Sequence, residues 1–207
     1  MADSFTQVPP NSTGNKVRTR TKVIGADTVH EQAVFQTALP TYYALADAVT
    51  FATNKQLISL MNAAGSGKML AIKKLFLINV QTSSVTGVAI RSNVMKITAH
   101  SGGTLVTPQT ADSNNAVLPA EVTVRTGATS VTEGAIMFPL AYSNDEIGAT
   151  QAFPSSILLQ GLNFIPEVVE TQEIRLRPGE GITLKQITAT TVGLFAYLIV
   201  FTMDDDV

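Results

Sequence analysis

The chain has 207 residues, of which 45% are hydrophobic, 14% charged and 6% aromatic, and it contains neither Cys nor Trp. This length suits one folded domain, which can bury about 70% of the surface of its unfolded chain. The absence of Cys excludes disulfide scaffolds, Cys-based zinc sites and thiol nucleophiles. A formal charge of −2 provides no basic field for a polyanion, so nucleic acid is not an expected partner.

Hydropathy along the chain predicts no contact with a membrane. The first residues lack the basic and apolar regions of a secretory signal peptide, and no run of about 18 apolar residues could span a bilayer. The chain instead combines little charge with 26 threonines, a β-branched residue that suits half-buried sheet surfaces. This composition favours a protein whose surface lies against other protein.

Residues 1–40 are polar, carry Pro9-Pro10 and lack a long apolar run, which predicts an extended N-terminal arm. Within the arm, basic residues alternate with small or β-branched ones and share one face if the segment is extended. Two interpretations stay open: a solvated strand edge protected by charge, or an arm laid across an acidic neighbour. Residues 1–30 hold four basic and two acidic residues, a charge of +2 that leaves −4 for the remainder. The basic residues are Lys16, Arg18, Arg20 and Lys22.

The secondary structure of residues 41–52 is not decided by the sequence. Tyr42, Leu45, Ala46 and Val49 follow the helical spacing i, i+3, i+4, i+7, whereas the two tyrosines and the β-branched residues of the same segment favour a strand. No firm helix C-cap follows the segment.

The remaining chain has the pattern of β-strands separated by Gly- and Pro-containing turns. We expect two strands that form a hairpin around the turn at 63–67, one bent or two short strands interrupted at Ser92-Asn93, and an alternating strand with Val122 and Val124 on one face. Long loops are predicted at 100–119 and 138–156. The predicted strands, in order, are 54–62, 68–81, 85–99, 121–126, 157–162, 168–177, a return strand from 182, and 192–203.

The last of these strands is almost wholly apolar, which predicts a central strand buried on both faces. Before the return strand, Pro178 to Gly181 predicts a turn, because its glycines can adopt positive φ. The number and spacing of strands predict an all-β fold, an antiparallel β-sandwich or jelly roll over residues 41–207, with the arm at 1–40.

No motif predicts catalysis or a cofactor. Gly65-Ser-Gly-Lys68 resembles a phosphate-binding loop, but Asn62 and Met69 stand where that loop requires Gly and Ser or Thr. The two histidines, His30 and His100, accompany no nucleophile elbow and no Cys ligand.

The acidic residues do not change this interpretation. Glu167, Glu170 and Glu173 are close in sequence, but glycoside hydrolysis needs a cleft that holds two carboxylates about 5 to 10 Å apart. The run Asp204–Asp206 suits a polar stop after an apolar strand better than a calcium loop. We therefore predict a protein that is not an enzyme and has no catalytic residues, no cofactor and no metal site.

Two segments carry a resemblance to a known class of proteins. Residues 54–68, ending in Gly65-Ser-Gly-Lys68, and residues 174–184, containing Pro178-Gly-Glu-Gly181, resemble virion proteins of tailed bacteriophages, in particular β-sandwich capsid decoration, or cement, proteins. The resemblance implies a non-enzymatic virion protein that assembles in the bacterial cytoplasm and binds the outer face of the capsid lattice. Its implied partners are the major capsid protein and copies of itself, as a dimer or trimer.

Under this resemblance, Lys16, Arg18, Arg20 and Lys22 would help to anchor the arm to a neighbouring subunit. An alternative of a different kind is a neck, tail or fibre-associated β-sandwich of the virion that contacts host glycan. A sugar-active enzyme is a third class and would require two carboxylates facing each other across a cleft.

Overall fold

A computed structural model describes residues 3–7, 16–24, 27–32, 39–80, 82–147, 173–189 and 194–205. The regular structure of these residues consists of β-strands, and the chain divides into two compact units, Met1–Ala38 and Leu39–Val207. The first unit contains an antiparallel three-stranded sheet of β1 (Asp3–Gln7), β2 (Lys16–Ile24) and β3 (Asp27–Gln32), with β2 in the centre. The arm over residues 1–40 stays a prediction.

The second unit confirms the predicted all-β antiparallel sandwich. Its six-stranded sheet has the order β11-β7-β13-β5-β10-β8, and its five-stranded sheet has the order β12-β6-β14-β4-β9. The strands are β4 (Thr41–Thr50), β5 (Gln56–Asn62), β6 (Lys68–Asn79), β7 (Val85–Ser101), β8 (Thr104–Val106), β9 (Gln109–Thr110), β10 (Val122–Thr126), β11 (Ser130–Ile147), β12 (Arg175–Leu176), β13 (Glu180–Ala189) and β14 (Leu194–Asp205).

The core lies between the two sheets and receives alternate side chains from both. In β10, Val122 and Val124 are buried while the intervening positions are only partly so, which confirms the predicted alternation. The apolar β14 is the middle strand of the five-stranded sheet, as predicted. The rings of Tyr42 and Phe201 stack across β4 and β14 with centroids 5.5 Å apart.

The undecided segment 41–52 is a strand over most of its length, and a β-bulge explains its helix-like spacing. Tyr42, Ala44 and Ala46 are buried at alternate positions of β4. The pairing with β14 then shifts, and Ala48 adopts a φ of 49°. Because a bulge adds one residue, the alternation is reset and Val49 faces the core again. The buried residues Tyr42, Ala46 and Val49 therefore show the helix-like spacing i, i+4, i+7 although they belong to a strand.

The predicted hairpin of β5 and β6 is wrong, because the two strands belong to different sheets. Both edges of β5 are already paired, with β10 on one side and β13 on the other. The turn at 63–67 therefore crosses from one layer of the sandwich to the other, with Gly65 and Gly67 at φ values of 92° and 62°. The turn before β13 also crosses between the layers, since β12 pairs with β6.

Asn62 joins the two sheets where these crossings meet. Its side chain is fully buried, and its amide nitrogen donates hydrogen bonds to the carbonyl oxygens of Lys68 at 2.7 Å and Leu176 at 3.0 Å. The backbone carbonyl oxygen of Asn62 accepts a hydrogen bond from the backbone N–H of Gly179 at 2.7 Å. One residue of β5 is therefore bonded to β6, to β12 and to the turn that precedes β13.

One prediction fails at β11, whereas β7 agrees with one of its two predicted alternatives. β7 is a single strand through Ser92-Asn93, as in the bent-strand alternative, and its pairing with β13 shifts register beside Arg91 and Ser92. By contrast, β11 extends to Ile147 through the first half of the predicted loop at 138–156. The prediction counted Pro139 as a loop residue, but β11 is the edge strand of its sheet, where a missing backbone N–H is tolerated. The predicted strand at 157–162 lies outside the described residues.

Replacing Asn62 with Leu, which keeps the volume but removes the amide, is expected to lower the free energy of unfolding by about 2 to 3 kcal/mol. The reason is that two carbonyl oxygens lose their donors in a buried environment. Urea denaturation measures the change, and Asn114→Leu, at an exposed loop position, is the matched control. Equal stability of the two variants would contradict the role given to Asn62.

Candidate protein-interaction surface

The outward face of the five-stranded sheet is apolar over its three central strands. We call the following seven residues the outer apolar face: Tyr43 and Leu45 of β4, Ala196, Leu198 and Val200 of β14, and Phe76 and Ile78 of β6. They occupy alternate positions that face away from the core. A sheet face that contacts water usually carries polar residues at such positions, so this composition is typical of a face that contacts protein.

Strand register makes the outer apolar face continuous. Leu198 lies at its centre, with Leu45 directly opposite on β4 and Phe76 directly opposite on β6. Large side chains at its margins are open to solvent: Tyr43 is 40% exposed, Leu45 50% and Ile78 39%. Directly opposed residues on neighbouring strands have Cβ atoms about 4.5 to 5.5 Å apart, so these side chains form one contiguous patch.

The opposite face of the sandwich is covered by the chain itself. His100 of β7 lies within hydrogen-bonding distance of Ser59 on β5 and Thr123 on β10, although β13 separates β7 from β5 in the sheet. The end of β7 therefore curls across the outside of the six-stranded sheet. As a result Ser59, an outward-facing residue, has no exposed surface.

A second set of hydrogen bonds holds β11 over the same face. The ammonium of Lys185 donates to both carboxylate oxygens of Glu133 at 2.7 and 2.9 Å. The amide nitrogen of Gln56 donates to Glu133 at 2.7 Å, and Thr183 donates to the amide oxygen of Gln56 at 2.7 Å. These contacts link β11 to β13 and β5, so the six-stranded sheet offers no comparable apolar face at this position.

His100 and Ser59 have the spacing of a catalytic pair, with Nδ1 and Oγ 2.7 Å apart, but not its setting. A nucleophilic Ser must reach a substrate, whereas Ser59 is fully buried. The second ring nitrogen lies 2.8 Å from the Thr123 hydroxyl, where a triad would place a carboxylate. Burial, and secondarily the charge of Arg125, lower the pKa of His100 to about 4, so the ring is neutral near pH 7. The geometry supports a structural role.

An open groove of about 560 Å³ lies between β8, β10 and the loop that precedes β10. Its lining is mostly apolar, and Leu105 and Val117 are 56% and 90% exposed. Tyr42 is the one aromatic residue in the lining, and it is fully buried. Glycan binding generally uses exposed aromatic rings, so this groove lacks that feature.

The four basic residues singled out in the sequence lie at alternate positions of β2. Lys16, Arg18 and Arg20 pair with Gln7, Phe5 and Asp3 of β1. Lys22 pairs with Val29 of β3. The structure thus places all four in one strand of the first unit, while their predicted binding role stays a prediction.

Other residues that the sequence suggested as candidates form ion pairs or lie in separate units. Lys68, in the loop that resembles a phosphate site, forms an ion pair of 2.5 Å with Asp205 at the end of β14. Glu173 forms an ion pair of 2.5 Å with Lys73, and Glu167 and Glu170 lie outside the described residues. His30 lies in β3, in the other unit from His100.

Comparisons with known proteins give no relative. No family model, no curated protein and no solved structure matches the chain. Within the described ranges, no group of three metal-binding side chains occurs. The same part of the chain contains no helix long and apolar enough to cross a membrane.

Stability should fall as the pH is lowered from 6.5 to about 4, because the unfolded chain binds a proton on His100 in this range and the folded protein does not. The expected slope is on the order of 1 kcal/mol per pH unit. Urea denaturation at a series of pH values measures it, and His100→Asn should remove this contribution. His30→Asn, at the other histidine, should keep it. An unchanged pH profile in the His100 variant would refute the assignment.

Proposed function

We propose that this protein is a structural subunit of a tailed-bacteriophage virion, a decoration or cement protein that binds the outer capsid lattice and stabilises neighbouring capsomers. Its partners are the major capsid protein and copies of itself. It acts by binding and carries out no reaction. The observation that carries the proposal is the outer apolar face, which is suited to contact with protein.

Internal hydrogen bonds of the sandwich support the role of a lattice-binding subunit. Polar residues under the β7 and β11 strands are committed to internal hydrogen bonds, as His100 is to Ser59 and Glu133 is to Lys185. These bonds tie β7 and β11 to the strands beneath them, and a lattice-binding subunit must keep one shape while it contacts many identical neighbours. The low charge of the chain is consistent with extensive contact with other protein.

The alternative, a neck, tail or fibre-associated protein that contacts host glycan, has less support. Its binding site would need exposed aromatic rings, and the groove beside β8 and β10 offers only the buried Tyr42. A sugar-active enzyme would need two facing carboxylates. Among the described residues, Glu133 and Glu173 are each held in an ion pair with a lysine.

The number of copies per particle tests the proposal. Quantitative mass spectrometry of purified virions should give a ratio to the major capsid protein near one, or a simple fraction such as about one third, as lattice symmetry requires. Particles lacking the gene should also release their DNA at a lower temperature. A few copies per particle would favour the neck or tail alternative, and absence from particles would overturn the proposal.

The predicted anchoring role of the arm can be tested separately. Replacing Lys16, Arg18, Arg20 and Lys22 together with Gln should weaken binding to particles that lack the protein, and the loss should be largest at low salt because exposed charges are screened by ions. Cosedimentation with particles measures binding. An Arg91→Gln variant, altered at an exposed position of β7, is the control. Full binding by the quadruple variant would exclude the anchoring role.

A further inference from the structure

We propose that the outer apolar face binds the same face of a second copy of this chain, about a two-fold axis that lies parallel to the two sheets, so that the strands of the two copies cross at nearly a right angle. This deepens the proposed function, because it names the surface through which an assembly subunit pairs with itself. Two charged residues at the border of the face, Asp47 and Lys74, determine this arrangement.

Strand register arranges the face as three rows of three positions. The first row is Tyr43, Val200 and Lys74, and the second is Leu45, Leu198 and Phe76. In the third row, Ala196 pairs with Ile78 on β6. The third position of this last row is Asp47, which lies in the bulge between the Ala46–Tyr197 and Val49–Phe195 pairs.

The two charged residues therefore occupy diagonally opposite corners of an apolar grid. Asp47 and Lys74 are both exposed. Lys74 lies with its ammonium 5.7 Å from the ring centroid of Phe76, which keeps it close to the face. Neither has an ion-pair partner among the described residues. Charges at the rim and apolar residues at the centre are the usual composition of a protein interface.

This pattern is complementary to itself. A two-fold axis makes contacts reciprocal, so that when residue i of one copy faces residue j of the other, j also faces i. An axis along the diagonal from Tyr43 to Ile78 passes over Leu198 and exchanges the other two corners. Each Asp47 then faces Lys74 of the second copy, and both charge pairs form at once.

The dimensions of a sheet permit this arrangement. Neighbouring strands are about 4.8 Å apart and alternate residues along a strand about 6.8 Å apart, so the grid is close enough to square for a quarter-turn to keep the rows in contact. After this quarter-turn, the Asp47 position of one copy lies about 3 Å from the point directly over the Lys74 position of the other, a distance that a lysine side chain can span. Face-to-face packing of sheets at about 90° is one of the two common geometries.

The area of the outer apolar face indicates how tightly two copies should bind. Nine positions cover about 300 Å² of sheet, which is small beside the roughly 800 Å² per partner of a standard interface. The dimer should therefore be weak, and sedimentation equilibrium of the full chain from about 1 to about 500 µM should reveal it. A protein that stays monomeric over this range would overturn the proposal, whatever else covers the face.

Charge reversal distinguishes this geometry from unspecific association. Asp47→Lys and Lys74→Asp should each weaken self-association about 10-fold or more, because each brings like charges together in both pairs. An equimolar mixture of the two variants should restore it, since the mixed dimer contains two opposite-charge pairs. Unweakened single variants, or a mixture of folded variants that does not associate, would refute the proposed axis.

A matched pair of variants tests the contribution of the apolar side chains to the dimer. Leu45→Glu, at the 50% exposed position of the face, should abolish the dimer. Val117→Glu, at a 90% exposed position in the groove, should leave it unchanged. Circular dichroism and thermal unfolding check that every variant is folded. Loss of the dimer in both variants, or in neither, would contradict the assignment.

The proposed dimer and the proposed function can fail independently of each other. A monomeric protein that is nevertheless present in virions at a lattice ratio overturns the dimer and keeps the function. A dimer with the expected response to charge reversal, in a protein absent from virions, keeps this surface and overturns the function.

Discussion

The sandwich depends on Asn62 of β5, because its buried amide nitrogen bonds this strand of the six-stranded sheet to β6 and β12 of the five-stranded sheet, where the chain crosses between them. None of the described neighbouring strands in the second unit is consecutive in sequence, so hairpins do not determine its topology. The crossings from β5 to β6 and from β12 to β13 meet at this residue instead. A buried N–H donor that is left without an acceptor is costly, so the two hydrogen bonds from the Asn62 amide nitrogen stabilise the crossing.

The two outer faces of the sandwich then differ for a physical reason. Long strands β7 and β11 curl back over the six-stranded sheet, where His100 and Glu133 supply the polar contacts that hold them. The outer apolar face has no equivalent cover among the described residues. Within the described part of the second unit, one face is therefore covered by the chain itself and the other is not, and the proposed assembly role is based on this difference.

The sequence predicted what depends on local pattern and missed what depends on pairing. The alternation of Val122 and Val124 and the central position of β14 were predictable from adjacent residues. The hairpin at 63–67 was not, because glycine turns that cross between sheets look like turns within one sheet. His100 lies 41 residues from Ser59 and 23 from Thr123, so no spacing rule could bring the three together. The outer apolar face likewise required the register of three strands.

The burial of β14 and of its neighbour β4 also favours a partner on this face. Its sequence is that of a strand buried on both sides, and Ala196 and Val200, on the outward side, are only 2% and 7% exposed. The flanking Tyr43 and Leu45 remain open to water, so burial on that side is incomplete. Covering them would contribute roughly 25 cal/mol for each Å² of apolar surface removed from water. A second copy would supply that cover for Tyr43 and Leu45, beside a strand whose outward Ala196 and Val200 are already buried.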